Sequence, residues 1–168
     1  DLAVVYKGWH TDCAWSVLIG GSADQSIGES VEHKEKRRFL QAGEEALWQG
    51  IENAVDGKKV GDISSAIQTT IEGAGYSVVR SLVGHGVGRS LHEDPEIPGF
   101  GKKDTGAILK SGMTLAIEVI YAKGLSDVVL DEDGWTYQTA DQSWGGLFEM
   151  TVIVGQKKQE VLTDWHRI

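Results

Sequence analysis

Two apolar runs of the chain each carry a single carboxylate, and this pattern restricts the fold more than any other feature. Residues 113–121 and 147–154 are largely apolar, yet Glu118 lies inside the first run and Glu149 inside the second. Runs of this length and composition are typical of strands in a sheet. An unpaired carboxylate is costly to bury in such a strand, and a bound metal ion removes that cost. The alternative is that each glutamate lies at a strand edge.

Length and charge exclude several classes of partner. The chain has 168 residues, enough for one domain with a sizeable core, and its formal net charge is −9. This acidic balance argues against nucleic acid and against anionic membrane surfaces, because both require a basic binding surface. No stretch approaches the roughly 18 consecutive apolar residues of a membrane span. We therefore expect neither nucleic acid nor a membrane as a partner.

The only cysteine is Cys13, so no disulfide can form within the chain. This fits a reducing compartment, and the cytoplasm is the predicted location. Cys13 has no evident His–Asp partnership, and the neighbouring Asp12 disfavours its thiolate. The sequence therefore predicts a structural cysteine and not a nucleophile.

The order of the predicted elements indicates one α+β domain over residues 1–168. A curved, mostly antiparallel sheet is expected, with two helices covering one of its faces. Asp62 is the expected N-cap of the second helix. Before the later strands, the pattern predicts strands at 3–6 and 14–19, a loop at 21–30, helices at 31–55 and 62–72, a strand at 76–82 and a tight turn at 84–88.

Five residues have the order and the side chains of a two-metal site. They are Asp1, Asp12, His92, Glu118 and Glu149. Four carboxylates and one neutral imidazole can balance two divalent cations, and an oxygen-rich set with one nitrogen suits Mn, Fe, Co or Zn. Aspartates on two adjacent strands can also face the same point across a hairpin. The alternative is ordinary surface acids, since the chain has 25 aspartates and glutamates.

Several motifs resemble those of type I methionine aminopeptidases, in the same order and over nearly the whole chain. They are Tyr6-Lys7-Gly8-Trp9-His10-Thr11-Asp12, His85-Gly86-Val87-Gly88-Arg89, His92-Glu93-Asp94-Pro95, Leu109 to Glu118, Asp133-Gly134-Trp135-Thr136 and Phe148-Glu149-Met150-Thr151. The resemblance implies the pita-bread fold, a dinuclear metal site and removal of methionine from the N-termini of peptides or nascent proteins. It also implies that the chain is the C-terminal two-thirds of the family domain, without its N-terminal segment.

The resemblance further assigns roles to single residues. Glu118 would move the proton between water and the leaving amine, and Glu149 would bridge the two metals. Trp135 is similar to the aromatic residue that closes the methionine side-chain pocket, although plain hairpin packing is the alternative. His85 would contact substrate beside the metal ligands, or be structural within its glycine-flanked turn.

Some positions depart from the family pattern. The family usually has a second substrate-contacting histidine seven residues after its metal-binding histidine, and here Gly99 occupies that position. Met150 and Val119 stand where histidine and proline are usual. Two further functions therefore stay open: a catalytically impaired module that binds peptide or protein, and an Xaa-Pro aminopeptidase. The exposed edge expected at residues 2–6 also predicts a homo-oligomer or a missing covering segment.

Overall fold

The computed structural model describes residues 1–19 and 30–164. These residues form two helices and ten strands in an α+β arrangement. The elements are β1 (Leu2–Tyr6), β2 (Trp9–Trp15), α1 (Val31–Ile51), α2 (Val60–Gly73), β3 (Ser77–Val78), β4 (Gly84–Gly86), β5 (Glu93–Ile97), β6 (Thr114–Ala122), β7 (Val128–Leu130), β8 (Tyr137–Thr139), β9 (Gly145–Ile153) and β10 (Glu160–Val161).

The main sheet has eight strands and is antiparallel throughout. Its order is β1-β2-β9-β6-β4-β5, with β10 beside β9 and β3 beside β6. The longest ladder joins β6 to β9, from Thr114 opposite Ile153 to Ala122 opposite Gly145. Strands β7 and β8 form a separate hairpin. The two glutamate-bearing strands are therefore neighbours at the centre of the sheet.

Strand alternation separates the core from the glutamates. Successive side chains of a strand point to opposite faces. Ile117 and Val119 of β6, and Phe148 and Met150 of β9, are buried in one core cluster with residues of both helices. Glu118 lies between the two β6 residues, so it faces away from the helices. The prediction of two helices on one face is thus confirmed.

Helix α1 begins where its capping chemistry is available. The Ser30 hydroxyl accepts a hydrogen bond from the His33 N–H at 3.2 Å, which satisfies one of the free amides of the first turn. The helix ends at Ile51, four residues before the predicted end.

Within the described ranges, no helix has both the length and the apolar character needed to cross a membrane.

Helix α2 corrects the predicted cap. Lys59 is the N-cap, and Asp62 lies within the first turn, where its carboxylate accepts the Lys59 N–H at 2.9 Å. A carboxylate near a helix N-terminus is favourable in either position, so composition alone did not separate them.

Three other local predictions differ from the structure. The second strand lies at Trp9–Trp15 and not at 14–19, and only Ser77–Val78 of the run 76–82 is a strand. The predicted tight turn at 84–88 instead contains strand β4. Of the predicted loop 21–30, only Ser30 lies within the described residues.

Candidate metal centre

Glu118 and Glu149 face each other across the central ladder. They are register partners between β6 and β9. Glu149 is 3% exposed, and Glu118 is half-buried. Directly opposed side chains in an antiparallel pair have Cβ atoms about 4.5–5.5 Å apart, so two negative charges here would repel strongly. The pair needs either protons or a cation between its oxygens.

The electrostatics of this pair match that requirement. Burial raises the pKa of Glu118 to about 7, and the charge of Asp12 adds to the rise. Burial likewise raises the pKa of Glu149 to about 9, and the charges of Glu118 and Asp12 add to the rise. Without a cation the site therefore holds protons near neutral pH. Bound divalent metal would restore the ionised carboxylates, so the donor set fits a metal centre.

Asp12 enters the site from β2. This strand pairs with β9 on the side away from β6, with Ala14 opposite Glu149. Asp12 precedes Ala14 by two residues in the strand, so its side chain points to the same face of the sheet. Its side chain is almost fully buried, and Oδ1 accepts the Cys13 N–H at 3.1 Å. Three neighbouring strands thus supply three acidic side chains, Asp12, Glu118 and Glu149, to the wall of one cavity.

His85 lies in β4, and the glycines on either side of it allow this strand to pack into the sheet. A Cβ at Gly84 would lie 2.6 Å from the Ala116 carbonyl oxygen, and one at Gly86 would collide with the Asp94 carbonyl oxygen. Only glycine therefore lets β4 fit between β5 and β6, and this places the buried His85 ring beside Asp12. The glycines that suggested a turn in the sequence are spacers within a sheet.

The hydrogen bonds of His85 determine which ring nitrogen is available. Nδ1 lies 2.9 Å from the Gly86 carbonyl oxygen, which can only accept, so Nδ1 carries the proton. Nε2 then faces Asp12, 3.9 Å from Oδ2. Donor atoms of Asp12, His85 and Glu149 all lie within 4.8 Å of one another. These three buried side chains, two carboxylates and one imidazole, are a donor set that could hold a metal ion.

His92 and Asp1, both predicted ligands, lie at the margin of this group. Both are exposed and line the same cavity as the buried residues. The His92 ring packs edge-on against His85, with 4.4 Å between ring centroids. Among the described residues, the imidazole that the structure brings together with the carboxylates is that of His85. Sequence reasoning missed this, although the Gly-His-Gly pattern carried the signal.

Gly99 packs against the core and lies outside the cavity. Gly99 is buried, and a Cβ there would contact Val78 and Ile67 at 3.1 and 3.6 Å. Both contacts belong to the core behind the sheet, and Gly99 does not line the cavity. Counting seven residues from His85 gives His92, which does line it. The cavity therefore has an imidazole at position 92, seven residues after the buried His85, and no side chain from position 99.

The carboxylates and His85 lie in the wall of a cavity of about 1230 Å³. Much of the remaining wall is apolar, with Val79, Ile120 and Leu147 among its residues. The β7–β8 hairpin supplies Trp135 and Tyr137 to the rim, and Trp135 is 86% exposed. The cavity thus joins a carboxylate-rich end to an apolar wall.

Cys13 lies close to the centre but outside the ligand group. Burial raises the pKa of its thiol, and the charges of Glu149 and Asp12 raise it further. The thiol therefore stays protonated, as expected for a structural cysteine.

A buried carboxylate group with a histidine at the base of a cavity defines a candidate metalloenzyme. The model of metallopeptidase family M24 matches residues 1–156, and the chain belongs to this family. It is 37% identical to methionine aminopeptidase 1 of Bacillus subtilis over 163 residues, which cover 97% of this chain and 62% of the relative. The chain spans about three-fifths of the length of such relatives.

Solved structures agree with the fold. A methionine aminopeptidase from Thermotoga maritima is 40% identical with a TM-score of 0.86, and the match covers 96% of this chain and 61% of the other. That from Rickettsia prowazekii is 36% identical with a TM-score of 0.86, over 96% and 61%. Prolidase from Pyrococcus furiosus, at 23% identity and a TM-score of 0.70 over 98% and 40%, shares the fold alone. The predicted pita-bread fold is confirmed.

Proposed function

We propose that the protein is a metal-dependent aminopeptidase that removes the N-terminal methionine from peptides or nascent proteins. The observation that carries this proposal is the facing pair of the half-buried Glu118 and the buried Glu149, which line one cavity together with Asp12. The similarity to methionine aminopeptidases supports the substrate class. Because the chain spans only part of those relatives, the activity of the whole protein is a proposal.

The proposed ligands of two divalent metals are Asp1, Asp12, His85, Glu118 and Glu149. His85 replaces the predicted His92, because its Nε2 is the imidazole nitrogen grouped with the carboxylates. The donors are four carboxylates and one imidazole, which suits Mn, Fe, Co or Zn. When bound, such a pair of metals supplies an activated water and polarises the scissile carbonyl.

The side chains around this centre have separable tasks. Glu118 would take a proton from the attacking water and deliver it to the leaving amine, since its carboxylate lines the cavity beside the other proposed ligands. His92, seven residues after His85 and lining the cavity, would hydrogen-bond the substrate. The substrate's free α-amine would lie at this end of the cavity, beside the proposed ligands.

The apolar part of the cavity would bind the methionine side chain. Ile120 and Leu147 belong to the same strands as Glu118 and Glu149, two residues away from each, so they lie on the same face. Trp135 stays the proposed aromatic contact at the rim. His85, predicted as a second substrate contact, would act beside substrate through the metal it holds.

The test is release of methionine from Met-Ala-Ser by the protein supplied with Mn or Co. We expect turnover, and Glu118→Gln should lower it by on the order of 10³-fold, because the amide cannot transfer the proton. Glu160→Gln is the matched control, since this exposed glutamate lies in β10 and does not line the cavity.

Other outcomes would select the other functions. Peptide binding without release, in protein that holds metal, would favour the impaired binding module. Preferential cleavage of Xaa-Pro peptides would favour the dipeptidase branch of the family. Turnover that survives Glu118→Gln would contradict the proposed role of that residue.

A further inference from the structure

Strands β2 and β9 are joined in an unusual way around the metal centre. Their register partners are Ala14 with Glu149 and Trp15 with Phe148, so Asp12 comes opposite Thr151. At that position a side chain, and not backbone–backbone hydrogen bonding, joins the two strands. The Thr151 hydroxyl accepts the Asp12 N–H at 2.9 Å and donates to the Asp12 carbonyl oxygen at 2.8 Å. One hydroxyl thereby satisfies both backbone polar groups of a proposed metal ligand.

The reason lies in the third strand at this edge. The Thr151 carbonyl accepts the N–H of Leu162, and the Thr151 N–H donates to the Thr163 hydroxyl at 3.0 Å. The backbone of β9 is therefore already engaged by the segment around β10, and β2 cannot pair with it there. The hydroxyl reaches across the gap instead, and this sets the distance between Asp12 and β9.

A second hydroxyl makes the same kind of bridge on the other side of Glu149. Ser16 accepts the Leu147 N–H at 3.0 Å and donates to the Leu147 carbonyl oxygen at 2.9 Å. Backbone pairing of β2 with β9 is thus confined to the rows Ala14–Glu149 and Trp15–Phe148, with a hydroxyl bridge at each end. Only the Thr151 bridge holds a residue of the ligand group.

We propose that Thr151 is a positioning residue of the metal centre, which fixes the Asp12 backbone so that its carboxylate meets Glu149 and His85. This inference rests on the proposed metal-dependent function. Thr151 is 1% exposed and does not line the cavity, so it acts through Asp12 and not on the substrate. Side chains that orient metal ligands typically contribute 10–100-fold to metal affinity.

The test measures Mn binding by isothermal titration calorimetry in four proteins: the unmodified chain, Thr151→Val, Thr151→Ser and Ser16→Ala. Valine keeps the shape but leaves the Asp12 N–H and carbonyl without their partner. We expect it to weaken Mn binding about tenfold or more, while serine restores the affinity. Ser16→Ala should lower the melting temperature without that loss of affinity, because its bridge holds Leu147.

The outcomes separate this inference from the proposed function. Absence of Mn binding by the unmodified chain would overturn the proposed function itself, and with it the inference. Mn binding by Thr151→Val that equals that of the unmodified chain would overturn the inference alone, as would an equal loss in Ser16→Ala. If Thr151→Val does not fold, Thr151→Cys replaces it, since a thiol is a weak hydrogen-bonding group. Binding by the cysteine variant several-fold weaker than by the serine variant supports the inference, and equal binding contradicts it.

Discussion

The central strands β6 and β9 and the edge strand β1 are all largely apolar, yet they are opposites in burial. In β6 and β9, the residues on either side of the glutamates are fully buried, as for Val119 and Met150. In β1, all five residues are exposed, and Tyr6 reaches 68%. The first region holds acidic side chains in fixed register from both sides, whereas β1 has a partner only in β2 among the described residues.

This difference in burial explains why side chains of the central strands have more closely fixed positions than those of β1. A carboxylate in a central strand has neighbours on both sides, so its position follows from the register of three strands. An edge strand has one such constraint, and its apolar side chains are available for association. The predicted oligomer or covering segment belongs to this exposed region and stays a prediction.

The largest expected effect is on the pH dependence of the metal-free protein. The pKa values of Glu118 and Glu149 are raised in the folded state to about 7 and about 9. At these two positions the folded chain binds more protons than the unfolded chain above about pH 4.5, so the pair's contribution to stability is fully present below that pH and is lost as pH rises toward 9. Thermal melts with chelator should show a decrease of roughly 5 °C or more between pH 5.5 and 8.5.

Bound metal supplies the control for this experiment. Because metal binds the ionised carboxylates, saturating Mn should flatten or reverse the decrease over the same pH range. A chelated protein whose melting temperature is constant or rises from pH 5.5 to 8.5 would contradict the buried, mutually repelling pair.

The next largest effect distinguishes His85 from His92, because replacing the first should change metal affinity and replacing the second should change the rate. His85→Ala should lower affinity for one metal by on the order of 10–100-fold, because it removes the nitrogen donor beside Asp12. His92→Ala should leave Mn affinity within about threefold and lower kcat on Met-Ala-Ser instead, since hydrogen bonds made in the transition state act on rate. Calorimetry and initial rates on both variants measure the contrast. The reverse pattern would return the ligand role to His92.

The smallest effect is expected in the first hairpin. Val5→Lys lies on the exposed edge strand and should change the free energy of unfolding by no more than about 0.5 kcal/mol. Its charge should reduce any self-association seen by light scattering. Ile117→Ala is the contrasting core variant, with an expected loss of about 2–5 kcal/mol. A large destabilisation by Val5→Lys would show that β1 is buried in solution.

Particular residues show how far the sequence could lead. Glu118 and Glu149 were predictable because a lone carboxylate in an apolar strand demands a partner, and their apposition follows from the ladder. His85 was predicted only as a possible substrate contact, and its grouping with the carboxylates was missed, since glycines on both sides suggest a turn until a packed sheet shows why they are needed. The Thr151 bridge depends on the segment around β10 occupying the backbone of β9, which no local pattern encodes.

Counting metal ions on the chain tests the central claim most directly. Protein stripped with chelator and titrated anaerobically with Co should bind two ions per chain, with a visible spectrum that Glu149→Gln reduces together with the stoichiometry. Two ions for the unmodified chain and fewer for Glu149→Gln is the result expected from a centre built on the β6–β9 ladder. No bound metal, or two ions in both proteins, would contradict it.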